Sequence, residues 1–373
     1  MIFSTAERSA QTSATEADDG DPSGTDAFRS NPASRARKPR LRQRRGLILA
    51  LLMLLIIPTM IVSLVIGSRV VSMDDAFAAL QHFDPSNDDH LVIRNLRVPR
   101  TILAVLAGAA LGLAGALMQS LTRNTLAEPG TLGVNSGAAA GVVLGLAFTG
   151  SASIVVYVWF AFAGAGIASL LVHRLGHAGE SGVNPVRLVL AGAGLSIMLS
   201  SVTTMVILSS PQAVFDSFRN WSSGSLQGRG WEVLPVTAVS LGVGLLLAMG
   251  VSGSLNSISL GSDMARGLGV NVRRTWAITN LAILLLAGAA TAAIGPVAFI
   301  GLAAPHIARS LVGPDHRWLL PYSAVIAGLV LLVADIAGRA VIHPAEVGAG
   351  VMSAIIGAPF FIYLIRRGRV EGL

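Results

Sequence analysis

The sequence predicts an all-α polytopic membrane protein with about ten transmembrane helices, and three observations carry that expectation. Hydrophobic residues make up 53% of the chain and charged residues 13%, where soluble domains hold roughly a quarter charged. The mean hydropathy is +0.67 over 373 residues. Apolar segments of membrane length recur throughout, unlike the short alternating strands of an outer-membrane barrel. The 41 glycines suit helices whose backbones approach closely in lipid.

Taken in order, residues 1–45 are rich in Ser, Thr, Ala, Asp and Arg and read as a disordered cytoplasmic tail. The remainder, 46–369, reads as one transmembrane domain. Its first apolar run, Gly46–Ile66, is a first span of about 20 residues, or ~30 Å. Its deep basic flank and the lack of an A-x-A site argue against a cleaved signal peptide. The exterior segment Gly67–Arg100 follows, with VSMDDAFAALQHF expected as an interfacial helix carrying Val71, Phe77 and Leu80 on one side. Further spans are expected near 101–120, 131–148, 154–172, 186–208, 234–250, 276–294, 297–312, 319–338 and 350–365. Between the fifth and sixth of these lies a polar stretch, 251–274.

Charge distribution gives the orientation. With the N-terminus inside, cytoplasmic segments hold about 18 Lys/Arg and exterior ones about seven, which favours N-in, C-in. Leu106–Ala110 recurs as Leu286–Ala290, both reading LAGAA, and Gly115 matches Gly295 at the same offset. The copies fall on spans of opposite direction, as an inverted repeat of two five-helix halves requires.

Several function classes are excluded. There are no cysteines, so disulfides and thiolate chemistry are absent. Lys38 is the only lysine and lies in RARKPR, so the chain has no GxxxxGK[ST] loop, and any ATPase belongs to another polypeptide. The histidines form no H-E-x-x-H pair, so no metal site is expected, nor a cofactor. H-E-x-x-H and G-x-S-x-G hydrolase motifs are missing. The net charge of +7 reflects basic residues at span ends, with no nucleic-acid partner implied.

Three stretches stand out. Arg94, Arg97 and Arg100 recur at spacing three outside the second span; they read either as anchors to lipid phosphates or as a docking surface for carboxylates. Asp335 lies deep in the ninth span, where a bare charge costs on the order of 2.5–3.5 kcal/mol. Arg339, one turn on, is placed to pair with it. Pro305 is expected to break or kink its helix locally, and His306 beside it is either hydrogen-bonded structure or part of a proton relay. Within the polar stretch, SDMARGLG has the form of a short helix with a glycine stop.

These stretches, with WSSGSLQGRGWE at 221–232, GLAAPHIAR, GPDHR, ADIAGR and GAPFF in order, resemble the permease subunits of bacterial ABC importers for iron chelates, haem and vitamin B12, the FecCD family. The resemblance runs from about residue 46 to 369. It implies a permease dimer, of identical or paralogous chains, with one translocation path at its interface. It also implies cytoplasmic ATP-binding cassette subunits and an extracytoplasmic substrate-binding protein, with this chain itself in the cytoplasmic membrane. By the same resemblance, Arg97, Arg100 and Arg339 meet acidic residues of the binding protein. Ser262, Asp263, Met264, Ala265, Arg266, Gly267, Leu268 and Gly269 form the coupling helix, and Asn184, Pro185 and Val186 lie at the inner gate.

The sequence departs from the family at Thr125, where RNPLAEPG has proline, at Gly348, where a proline precedes the last span, and at Ser353, where threonine is usual. GSLQGRGWE resembles the ferric-siderophore branch, with haem and cobalamin as alternative cargoes. A proton-coupled secondary transporter using Asp335, His306 and Arg339 is the alternative from another class.

Overall fold

The structure is a computed structural model that describes residues 32–67, 71–150, 153–176, 185–342 and 345–366, and for 32–41, 131–132, 185–186 and 364–365 the backbone alone. Among the described residues all regular structure is helical. Helix α1 (Pro32–Val65) is followed by α2 (Met73–Gln81) and α3 (Asp88–Leu91), then a π-helical turn at Val92–Arg97 leading into α4 (Val98–Thr122). Next come α5 (Val134–Thr149), α6 (Ile154–Gly176), α7 (Pro185–Leu208), α8 (Gln212–Ser222) and α9 (Leu234–Ile258). The chain closes with α10 (Ser262–Gly267), α11 (Val272–Ile294), α12 (Ile300–Val312), α13 (His316–Val341) and α14 (Ala349–Arg366).

Among the described residues, seven helices are long and apolar enough to cross a membrane, and α5, α12 and the Ala349–Tyr363 part of α14 are shorter apolar helices. Helix α1 begins at Pro32, inside the stretch expected to be unstructured. The reason is local: Ala33, Arg35, Ala36, Arg37 and Lys38 are good helix formers.

Helix α4 is the centre. Of the apolar window in the Asp88–Thr122 run 83% is buried, against 6% for α1. Lipid tails are as apolar as leucine, so this burial is driven by close packing between helices. Gly112 makes the closest approach to α13, where an added Cβ would collide with the Ser323 carbonyl, and Gly115 does the same against Gly301 of α12. The two LAGAA segments both lie in this interior, on α4 and α11.

Two ends of the bundle can be told apart. At the α2 end lie α2, α3, the start of α4, the loop 223–233 and the finish of α13. At the α10 end the Arg123 guanidinium donates to the Ile258 carbonyl (2.9 Å), tying the finish of α4 to that of α9 just before α10.

Two local expectations change. Val71 faces inward with Ala76, Ala79 and Ile93, while Met73, Phe77 and Leu80 form the exposed face of α2. Val71 precedes the helix, so helical spacing does not govern its direction. Pro305 leaves α12 unbroken, because near the helix start it removes one backbone bond, that to Gly301.

Gly112→Leu is expected to abolish recovery of folded protein from membranes, whereas Gly166→Leu, with nothing within 4 Å of its added Cβ, is expected to be tolerated. Fluorescence-detected size-exclusion chromatography reads the difference.

Candidate functional site

At the α2 end the chain buries a cluster of charges. The α1 helix finishes at Val65, leaving its last carbonyls without intrahelical partners. Arg97 donates to the Leu64 and Val65 carbonyls (2.6 and 2.9 Å). Arg339 donates to those of Ser63 and Ile66 (2.9 and 2.8 Å) and to the Ser63 hydroxyl (2.7 Å). Two guanidinium groups therefore cap a helix C-terminus, where positive charge also opposes the helix dipole.

Asp335 is the anion of the cluster, with its side chain fully buried. Arg100 Nη2 donates to it at 2.8 Å and Nε at 3.1 Å. Arg339 Nε lies 3.2 Å from its other oxygen. The remaining arm of Arg100 reaches Glu346 at 2.7 Å, on the loop before α14. One carboxylate thus holds α4 and α13 together, and a second adds the 345–348 loop. Sequence reasoning found the Asp335–Arg339 spacing but neither Arg100 nor Glu346, since contacts across more than 200 residues leave no local pattern.

Arg97, Arg100 and Arg339, which the resemblance sets against acidic residues of a binding protein, are all buried in the chain itself. The exposed arginine of the RNLRVPR run is Arg94, whose guanidinium sits 4.6 Å over the Phe83 ring and whose carbonyl accepts from Trp231. In the 223–233 loop Arg229 donates to the Tyr157 hydroxyl and lies 5.3 Å over its ring. Burial pulls its pKa down to about 10, which still leaves it charged at neutral pH.

At the opposite end, Ser262–Gly267 form α10, and the Gly269 stop has φ +79°. Ala265 faces inward and is fully buried. Leu260, Met264 and Leu268 recur every four residues and are each more than 60% exposed. Asp263 and Arg266 pair at 2.7 Å on the exposed side. The segment therefore presents an apolar ridge with a charged edge away from the bundle. Of the gate residues, Asn184 lies outside the described residues, and Pro185 and Val186 open α7 with only their backbone described.

Between the ends, the short helices α5 and α12 meet at their starts. The Glu128 carboxylate accepts from the Phe299 N–H at 3.2 Å, where Phe299 begins α12 with a left-handed backbone, φ 67°. Thr291, near the finish of α11, donates to the Asn135 side-chain oxygen near the start of α5 (3.1 Å). Each half of the chain thus supplies a polar group to the helix break of the other. Burial raises the Glu128 pKa, opposed in part by the Phe299 hydrogen bond.

Helix α7 carries an open groove of about 730 Å³ lined by Ser196, Ile197, Ser200, Ser201, Thr204, Met205 and Leu208. Ser201 and Thr204 donate to carbonyls one turn back, so these two hydroxyls are satisfied within an apolar setting. The i, i+4 run Ser196, Ser200, Thr204 was visible in the sequence as a polar stripe on an apolar span.

A helical membrane bundle with broken helices, an uncharged hydroxyl-lined groove and a projecting amphipathic helix is the build of a transport permease. The FecCD transport family model matches residues 52–367, and the chain belongs to that family. It is 48% identical to the ferric enterobactin transport system permease protein FepD of Escherichia coli K12, over 85% of this chain and 94% of that protein. It is 39% identical to the iron(3+)-hydroxamate import system permease protein FhuB of Bacillus subtilis 168, over 82% of this chain and 79% of that one. Among solved structures, a metal-chelate type ABC transporter in an inward-facing conformation matches with a TM-score of 0.75 and 29% identity, covering 86% of this chain and 99% of the other.

Asp335→Ala is expected to destabilise the protein by ~3–5 kcal/mol, because it leaves Arg100 and Arg339 buried without their shared anion. Arg100→Met, which leaves the Asp335–Arg339 pair, is expected to cost less; melting temperatures in detergent compare them. The raised pKa of Glu128 means that its neutral form is favoured in the fold. Its contribution is present below the unfolded-state pKa and is lost as pH rises through the folded one. The melting temperature of Glu128→Gln relative to the unsubstituted protein is therefore expected to rise from mildly acidic to neutral pH.

Proposed function

We propose that this chain is the membrane-spanning permease subunit of an ATP-driven importer that moves an intact ferric siderophore across the cytoplasmic membrane. The single observation that carries the reading is α10. Its segment projects the Leu260, Met264 and Leu268 ridge outside the apolar spans, and the only lysine of the chain lies in no nucleotide-binding loop. A transporter with no ATPase of its own and an exposed apolar ridge fits a cytoplasmic ATP-binding cassette subunit, with Ser262–Gly269 as the coupling helix.

Ten crossings, counting α5, α12 and α14 with the seven longer helices, support N- and C-termini in the cytoplasm, as does the distribution of basic residues. The third helix of each five-helix half, α5 and α12, is short and preceded by a break, which supports the inverted repeat. The α7 face, only 17% buried in its apolar window, lies against a second permease, identical or paralogous, with the translocation path between them. Asn184, Pro185 and Val186 form the inner gate at the start of α7. The groove carries no carboxylate or imidazole to compete for ferric ion, which suits a cargo that passes still wrapped in its chelator.

The substrate-binding protein docks at the α2 end. Arg97, Arg100 and Arg339 serve docking from within the rim that they hold together. An acidic residue of the binding protein reaches Arg100 by displacing Glu346, whose side chain is 11% exposed. The siderophore cargo rests on the named relatives, which carry ferric enterobactin and iron hydroxamate.

Reconstitution tests the reading. Uptake of ferric siderophore into proteoliposomes is expected to require a co-expressed ATPase, ATP and a loaded binding protein. Uptake driven by a pH gradient without any ATPase would contradict it.

A further inference from the structure

The α10 segment is covalently continuous with α9, and the last turn of α9 carries Asn256. That side chain is engaged on every polar atom. Its Oδ1 accepts from the His316 backbone N–H at 2.9 Å and lies 2.6 Å from His316 Nδ1. Its Nδ2 donates to Asp315 Oδ1 at 2.8 Å. Asp315 is itself the N-cap of α13, accepting from the Arg317 N–H. An amide oxygen only accepts, so His316 Nδ1 carries the proton, and Nε2 lies 2.5 Å from Ser120 Oγ on α4, whose one proton is shared between that nitrogen and the Ala116 carbonyl at 2.7 Å. Asn256 and His316 thus form a part-buried chain of hydrogen bonds running α9–α13–α4.

Helices α4 and α13 then form one unit across the bundle. Ser120–His316 joins them at the α10 end, the Gly112 approach to Ser323 packs them in the middle, and Arg100–Asp335 joins them at the α2 end. With 25 and 26 residues they span ~37–39 Å.

We propose that Asn256 is a positioning residue that transmits displacement of α10 to the α4–α13 unit, and through it to the docking rim at the far end. The inference rests on the coupling reading of α10. A side chain fixed by three contacts to the first turn of α13 passes on a rotation of the last turn of α9, where an apolar contact of the same size lets the helices slide. The network has the form that carries coupling between distant sites: packed, hydrogen-bonded and contiguous.

The test uses the whole importer in proteoliposomes and reads siderophore taken up per ATP hydrolysed. Asn256→Ala is expected to lower that ratio about threefold to tenfold, while complex assembly and binding-protein affinity stay unchanged. The Asn256→Ala, His316→Ala double variant is expected to do no more damage than the worse single one, because both break the same link. A normal ratio in Asn256→Ala, additive effects in the double variant, or a loss of uptake that only follows a smaller amount of assembled complex would each overturn the proposal. Arg266→Glu runs alongside: if it uncouples and Asn256→Ala does not, the Asn256 link alone fails, whereas if neither uncouples, the coupling reading of α10 falls and takes the link with it.

Discussion

The rest of the structure depends on the close approach of α4 to α13 and α12. In water a central helix is held by the gain from burying apolar side chains, but in lipid that gain largely vanishes. What remains is contact, and contact at backbone range requires positions such as Gly112 and Gly115, where a Cβ has no room. Once α4 is so placed, its two ends fall beside the two ends of α13. The charges at one end and the imidazole at the other can then be satisfied across helices.

The charge cluster follows from the same placement. Asp335 is tolerable in a span because Arg100 arrives from α4 and Arg339 from the next turn of its own helix. The surplus positive charge goes to the exposed carbonyls at the finish of α1, capped by Arg97 and Arg339. A helix that lies almost wholly outside the packed interior is in this way fastened at its end. The Tyr322 hydroxyl, donating to the Arg45 carbonyl at 2.5 Å, fastens it again near the start of its apolar part. These groups form a structural rivet.

Much of this was legible in the sequence because the relevant signals are local. Span lengths, the missing P-loop, the SDMARGLG helix and the Asp335–Arg339 spacing are all read within a few residues. Arg100 with Asp335, Asn256 with His316 and Glu128 with Phe299 were not legible, since each joins residues more than 50 positions apart. The arginines illustrate the difference. Their spacing outside a span was read as an exposed surface, but the π-helical turn at Val92–Arg97 rotates Arg97 and Arg100 inward and leaves Arg94 outside. Val71 failed for the same kind of reason, lying one residue before the N-cap whose helix would have set its direction.

On the proposed reading, α4 and α13 move as one body while α7 moves past them. The chain contains no cysteine, so spin labels can be introduced at chosen sites. Double electron–electron resonance in the assembled importer would compare Leu96 with Val341, at the α2 end of that body, and Val189 on α7 with Val333 on α13. The account predicts that between nucleotide-free and ATP-trapped states the first distance stays fixed and the second shifts. A first distance that changes with nucleotide, or a second that does not, would contradict it.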